Sequence, residues 1–295
     1  MELNAARAGV EAALAAHCDR YLHVLPPSVA EAVRYSILGE GKRLRPLLVL
    51  AAYHACGGGG DASALAASVE IVHAYSLVHD DLPCMDNDIV RRGRPTTHRI
   101  FGTRVATVAG VAMVPLAAWA AADAARALGL PAASRRAIVR ELMRASGAGG
   151  MVGGQLLDLE GEGRSLSLPE LERVHTAKTG ALISASVRIG GIAAGADARH
   201  GVAARALDRY GEAIGLAFQI ADDVLDATST TAALGKTAGR DAALGKSTYP
   251  ALLGVDGAVA RAARLAGEAR AALEAGGLLT PELARLASFV VDRKS

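Results

Sequence analysis

Two aspartate clusters set within apolar sequence are what this 295-residue chain has to fold around: Asp80-Asp81-Leu82-Pro83-Cys84-Met85-Asp86 and Asp222-Asp223-Val224-Leu225-Asp226. A carboxylate taken out of water is costly unless a cation compensates it. A fold that keeps these segments inside must therefore give them a positive partner. Hard divalent ions suit aspartate oxygen, and Mg²⁺ usually takes a few carboxylates and completes its shell with substrate phosphate and water. The two clusters thus point to a polyphosphate ligand.

The rest of the chain reads as helix. Hydrophobic types make up 51% of it and aromatic residues only 3%, so Ala and Leu must fill most of the core. Both are strong helix formers, and the residues that mark sheets are comparatively scarce. Periodicity and turn signals predict helices over 5–21, from Pro26-Pro27 onward, and over 44–55, 63–81, 134–145, 168–178, 181–194, 199–226 and 258–291. Residues 147–154 read as a glycine-rich joint, and neither strand alternation nor an internal repeat is visible. Apart from the glycines at 57–60 there is no compositional seam, which predicts one all-α domain spanning 1–295.

Several function classes are excluded early. A formal charge of +2, with no basic run interleaved with aromatics, argues against nucleic acid. Cys18, Cys56 and Cys84 are few, odd in number and without metal-ligand spacing, so they are expected as packing residues in a reducing, cytoplasmic compartment. The N-terminus shows no secretory pattern. Residues 105–122 carry no charge and approach membrane-spanning length, yet they are mostly Ala, Val and Gly with Pro115 inside, which fits an interior helix and no membrane span.

Position sharpens the chemistry. Pro83 ends or bends the helix just past Asp80 and Asp81. Asp222 and Asp226 stand four apart on one helix face, a like-charge spacing that costs about 0.2–0.5 kcal/mol. Arg91-Arg92-Gly93-Arg94 follows the first cluster, supplying the guanidiniums that a Mg²⁺-diphosphate needs beside its carboxylates. A second basic cluster, Gly41-Lys42-Arg43-Leu44-Arg45-Pro46, reads either as a wet loop or as a metal-free phosphate site. His73, on the same predicted helix as Asp80, is either a core histidine or a donor to that site.

Taken together, Gly41-Lys-Arg-Leu-Arg-Pro, the run from His73 to Pro83, Arg91-Arg92-Gly93, Gly153-Gly-Gln-Leu-Leu-Asp158, Lys178-Thr179-Gly180, Phe218-Gln219 with the second aspartate cluster, and Gly245-Lys246-Ser-Thr-Tyr-Pro250 resemble the motifs of the trans-isoprenyl diphosphate synthases. The resemblance is strongest to bacterial short-chain members of the farnesyl diphosphate synthase type and runs from Gly41 to Arg293-Lys294. It implies the isoprenoid synthase fold, a bundle of about ten or more helices around a deep central cavity, as a homodimer. It also implies Mg²⁺, about three ions per active site, held on an allylic diphosphate by Asp80, Asp81, Asp86, Asp222, Asp223 and Asp226.

Residue by residue, the resemblance has Arg91, Lys178 and Lys236 grip the allylic diphosphate, and Lys42, Arg45, His73 and Arg92 hold isopentenyl diphosphate, with Gly41 shaping the turn. Lys246 falls close to the phosphates, and Thr179 and Gln219 point oxygens at the reacting carbons. The implied reaction is head-to-tail condensation with dimethylallyl and geranyl diphosphates to farnesyl diphosphate, the final proton leaving to the departed diphosphate. Geranyl or geranylgeranyl diphosphate is the alternative product. Tyr75, five residues before Asp80, is expected to floor the cavity, which Ser76 is too small to do. The chain departs from the pattern at Gly110-Val111, where relatives commonly have Gly-Asp, and at Asn87-Asp88-Ile89, which replaces a more acidic run.

Three competing readings are weaker. A class I terpene cyclase would not need the second basic cluster, and an HD-type phosphohydrolase would need histidines grouped around His79-Asp80 that the chain lacks. A non-catalytic partner subunit would be expected to lose acidic ligands, and all six aspartates are present.

Overall fold

Helices form where the Ala/Leu periodicity runs and stop at glycine and proline. A computed structural model describes residues 2–196, 201–228 and 245–292; Lys236 and Arg293-Lys294 lie outside them. In chain order the helices are α1 (Leu3–Tyr21), α2 (Pro27–Ile37), α3 (Leu44–Ala55), α4 (Ser63–Asp80), α5 (Thr97–Phe101), α6 (Thr103–Ala127), α7 (Ala132–Ser146), α8 (Met151–Gly161), α9 (Leu168–His175), α10 (Ala181–Ala193), α11 (Val202–Thr228), α12 (Tyr249–Ala275) and α13 (Pro281–Asp292). A five-residue π-helical turn, Thr176–Gly180, joins α9 to α10.

Three expectations need correction. Residues 147–154 are only partly a joint, since α8 starts at Met151 and carries Gly153 and Gly154 within it. The C-terminal stretch is two helices, divided where Gly277 takes φ +67°, and the first begins at Tyr249. The third is a two-stranded antiparallel hairpin, β1 (Val90–Arg91) with β2 (Arg94–Pro95), turned through Arg92 and Gly93 at φ +53° and +71°. Two residues per strand are too short to show alternation, and the turn is of the positive-φ kind that closes tight hairpins.

Two apolar clusters stabilise the bundle. One gathers residues of α1, α2, α4, α6 and α7 around Leu14, Ile71 and Met113; the other gathers α3, α10, α11, α12 and α13 around Leu48, Ile214 and Leu265. Helix α6 buries one face, including Ala106, Gly110, Met113 and Ala117, against its neighbours. Its other face leaves Val108, Val111 and Trp119 more than half exposed, so only part of this segment is core. Cys18 is buried as expected, but Cys84 is exposed.

Small residues let α3 and α10 approach. A Cβ on Gly190 would lie 2.3 Å from the Val49 carbonyl oxygen and 2.9 Å from the Ala52 Cβ. Alanine gains about 1 kcal/mol over glycine in a helix interior, whereas overpacking costs about 1–3 kcal/mol, and backbone atoms cannot swing aside as a side chain can. Gly190→Ala is expected to lower stability to urea unfolding; a more stable variant would show that the two helices separate without cost.

Candidate active site

A cavity of about 630 Å³ opens between α4, α8, the π turn, α11 and the segment leading into α12. Asp80 and Asp86 line it from one side and Asp222, Asp223 and Asp226 from the other. Asp81 does not. Successive helical residues point about 100° apart, and at the end of α4 the second of the pair turns away, so Asp81 lines a separate small pocket of about 60 Å³.

There Asp81 accepts a 2.6 Å hydrogen bond from Arg91 Nε, whose guanidinium also donates to Asp88 at 3.0 Å. Burial pushes the Asp81 carboxyl up to about 6 against the pull of Arg91, leaving the pair ionised at neutral pH. Burial likewise works against the Arg91 charge, but Asp81 outweighs it and holds the guanidinium above its ordinary range. Asn87, at φ +51°, makes the turn that brings Asp88 inward, a conformation asparagine tolerates well.

The lysines meet on a carboxylate that had been assigned no role. Asp158 Oδ2, on α8, accepts from Lys178 Nζ at 2.6 Å and from Lys246 Nζ at 2.8 Å. Lys246 also donates to Asp86 at 3.3 Å. Burial opposes the Asp158 charge, yet the two lysines hold its pKa down at about 2. Lys178 stays protonated because Asp80 and Asp158 outweigh its burial, while burial raises Asp80 itself. Gly154 permits this arrangement, since a Cβ there would lie 2.2 Å from the Lys178 backbone nitrogen.

From the same π turn, Thr179 Oγ1 donates to Gln219 Oε1 at 2.8 Å, and Gln219 Nε2 donates to Asp223 at 3.0 Å. Asp223 also accepts from the backbone N–H of Tyr249 at 3.1 Å, and His175 Nε2 lies 3.6 Å away. The second aspartate cluster is thereby tied to the starts of α10 and α12.

The second basic cluster is laced to the hairpin and to α4. Arg92 donates to the Glu40 carbonyl at 2.8 Å and to His73 Nε2 at 3.1 Å. A guanidinium has only donors, so His73 must accept and is neutral there; burial, then Arg45 and Arg92, hold its pKa well below the usual value. A Cβ on Gly41 would lie 2.7 Å from Arg92 Nη1, so a side chain there would displace that guanidinium. Arg43, at φ +53°, forms a buried pair with Glu70 at 2.9 Å. Arg45, His73 and Arg92 all line the cavity, Arg45 with its guanidinium 5.8 Å from the centre of the Phe218 ring. Lys42 does not line it; the side chain is exposed, with Nζ 5.7 Å from the Phe289 ring centre.

Tyr75 and Ser76 line the cavity, together with the apolar side chains of Met151, Val152 and Leu156 from α8. Arg43, Glu70, Asp88 and Asp158 are the site residues that reasoning from sequence missed. Asp158 ends the Gly153–Asp158 motif, Arg43 lies within the second basic cluster and Asp88 within Asn87-Asp88-Ile89, whereas nothing local marks Glu70. Among the described residues no three His, Cys, Asp or Glu side chains converge closely enough to hold a metal by themselves.

An all-helical bundle whose central cavity opposes two carboxylate clusters and collects guanidinium and ammonium groups between them is built for phosphate esters. Residues 26–272 match the polyprenyl synthetase family, and the chain belongs to it. It is 47% identical over 285 residues to the farnesyl diphosphate synthase of Escherichia coli (strain K12), covering 93% of each chain. Among solved structures it resembles a geranyltransferase from Legionella pneumophila (TM-score 0.81, 30% identity, 99% of each chain covered). It also resembles a Helicobacter pylori geranyltransferase complexed with magnesium and isoprenyl diphosphate (TM-score 0.76, 30% identity, 96% of each covered).

Asp158 yields a pH prediction. Its folded pKa, about 2, is depressed from 3.8, so its stabilisation is fully present above about pH 4 and is lost as pH falls through 2. A shift of that size corresponds to about 2 kcal/mol. Asp158→Asn is expected to lose about that much at pH 7 and to flatten the stability profile between pH 4 and 2 in denaturant titrations. A variant with the parent's profile would place the acid dependence on other carboxylates.

Proposed function

We propose that this prenyltransferase condenses isopentenyl diphosphate head to tail with dimethylallyl and then geranyl diphosphate, in an Mg²⁺-dependent reaction that yields farnesyl diphosphate. The observation that carries the reading is one cavity with two unlike cation sets. Arg91, Lys178 and Lys246 stand among aspartates, whereas Arg45, Arg92 and neutral His73 line the same cavity in a set apart from them. The first set suits a diphosphate that arrives with metal, the second a diphosphate that arrives without it.

The donor chemistry fits Mg²⁺: Asp80, Asp86, Asp222, Asp223 and Asp226 offer only hard oxygens on opposite sides of the cavity, and an ion that keeps phosphate and water in its shell needs no closed protein cage. Magnesium bound there supplies Lewis-acid stabilisation of the leaving diphosphate. The expectation of six aspartate ligands is revised at Asp81, which orients Arg91. Lys178 and Lys246 neutralise charge as the allylic C–O bond breaks. Thr179 directs its hydroxyl hydrogen to Gln219, so its oxygen presents lone pairs to the allylic cation. The isopentenyl double bond attacks that cation, a C–C bond forms, and a proton leaves to the freed diphosphate. Met151, Val152 and Leu156 keep water from the cation. Tyr75 closes the far end and limits growth to fifteen carbons.

The exposed face of α6, with Val108, Val111 and Trp119, is proposed as the contact between two copies of the chain, which act as a soluble cytoplasmic homodimer with each 1–295 chain as one domain. Trp119→Glu together with Val111→Glu is expected to shift sedimentation toward a monomer; a wild-type chain sedimenting as a monomer at micromolar concentration would remove the dimer from the reading.

Steady-state kinetics test the catalytic reading. Asp80→Ala or Asp222→Ala should lower kcat by several orders of magnitude with helicity intact, because electrostatic and metal effects at reacting diphosphates are worth many kcal/mol. Arg45→Ala should raise KM for isopentenyl diphosphate more than for geranyl diphosphate, and Lys178→Ala the reverse. Undiminished turnover in EDTA would rule out the metal-dependent mechanism, and equal KM effects of both changes on both substrates would rule out the two-site assignment.

A further inference from the structure

Tyr75, which lines the cavity, packs against a second ring of the same helix. Tyr75 and His79 stand four apart on α4, on one helix face, with ring centres 5.0 Å apart in an edge-on arrangement. Behind His79 lies α6. His79 Nε2 is 3.1 Å from the Thr107 carbonyl oxygen, and a carbonyl only accepts, so Nε2 carries the proton and donates. The imidazole also fills the space where residue 110 would otherwise carry a side chain: a Cβ on Gly110 would lie 2.1 Å from His79 Nε2 and 2.2 Å from its Cδ2. The ring is therefore held between the α6 backbone on one side and the Tyr75 ring on the other.

We propose that His79 is a positioning residue for product length, bracing the Tyr75 ring across the end of the cavity, and that Gly110 is the socket that lets it do so. The inference rests on the reading of Tyr75 as the cavity end. It transfers part of the control of chain length to a helix whose residue 110 touches no substrate. Tyr75 alone has two side-chain torsions and could turn aside as a growing chain presses on it. With the imidazole, which itself lines the cavity, hydrogen-bonded beside it, that movement meets a ring which cannot retreat, because the α6 backbone occupies the space. Removing the imidazole opens that path. Adding a methyl group at Gly110 closes the socket and drives the imidazole toward Tyr75, narrowing the cavity instead.

The two changes are thus expected to act in opposite directions and through one residue. With dimethylallyl and isopentenyl diphosphates and Mg²⁺, products are resolved by mass as the C10, C15 and C20 diphosphates. His79→Ala should raise the C20 to C15 ratio by about tenfold, the scale of one edge-on ring contact. Gly110→Ala should raise the C10 share. The double variant should give the His79→Ala distribution, since without the imidazole the added methyl has nothing to displace. The readout is a ratio, so a variant with low turnover still reports, and circular dichroism checks its helicity. A purely structural role for His79 would lower turnover and leave the ratio unchanged, which overturns the proposal, as would effects that simply add in the double variant. Tyr75→Ala separates the two levels. If it lengthens the product and His79→Ala does not, the brace is wrong and the Tyr75 reading stands. If Tyr75→Ala itself leaves the product at C15, the cavity end lies elsewhere and both fall.

Discussion

The sharing of Asp158 between Lys178 and Lys246 is the interaction on which the site depends. A helical bundle can hold a large cavity only if the groups lining it do not repel one another, and here seven aspartates line the same space as several cations. Asp158 draws one lysine from the π turn before α10 and another from the segment before α12 onto a single oxygen, with α8 supplying the carboxylate. Three segments far apart in sequence are thereby fixed at one point. Against burial, Asp80 and Asp158 keep the Lys178 ammonium charged, and Asp158 and Asp86 do the same for Lys246, so each can meet an incoming anion without first taking up a proton.

Around that point the polar groups form a connected set. Thr179, Gln219 and Asp223 pass hydrogen bonds in one direction, from the π turn to the second aspartate cluster, and the Tyr249 N–H closes the set from α12. A buried polar network with its members satisfied fixes one geometry, whereas a half-satisfied one costs more than an apolar core. The π turn is what allows it. Lys178 and Thr179, neighbours in this five-residue turn, both line the cavity.

That helical geometry explains which parts of the site could be read from sequence. The aspartates of α4 and α11 point to a cavity that needs cations, because a carboxylate in an apolar helix is costly without one. Their unequal roles were also accessible, since vicinal residues on a helix diverge, and Asp81 accordingly turns to Arg91. Helix α8 was harder. Gly153 and Gly154 lower its intrinsic helicity by about 1 kcal/mol each, and the compensation, close approach to the Lys178 backbone, belongs to tertiary structure. The hairpin was hidden by its two-residue strands. Arg43 was hidden inside a basic cluster, where nothing local separates the residue that buries against Glu70 from the ones that line or rim the cavity.

The mouth and the far end of the cavity therefore differ in how the chain encodes them. The mouth is written in charges, each costly to bury and each paired in a way that constrains its neighbours, so a few motifs determine its chemistry. The end is written in contacts among Tyr75, His79 and the α6 backbone at Gly110, in which no charge is at stake and the decisive residue is one that lacks a side chain. On the proposed function, changes at the mouth would remove the reaction, because the charges act on the bond that breaks. Changes at the end would alter where a growing chain stops, because they move a wall by the width of a methyl group or a ring. A fold built this way would keep its chemistry fixed while the length of its product drifted through substitutions two helices deep.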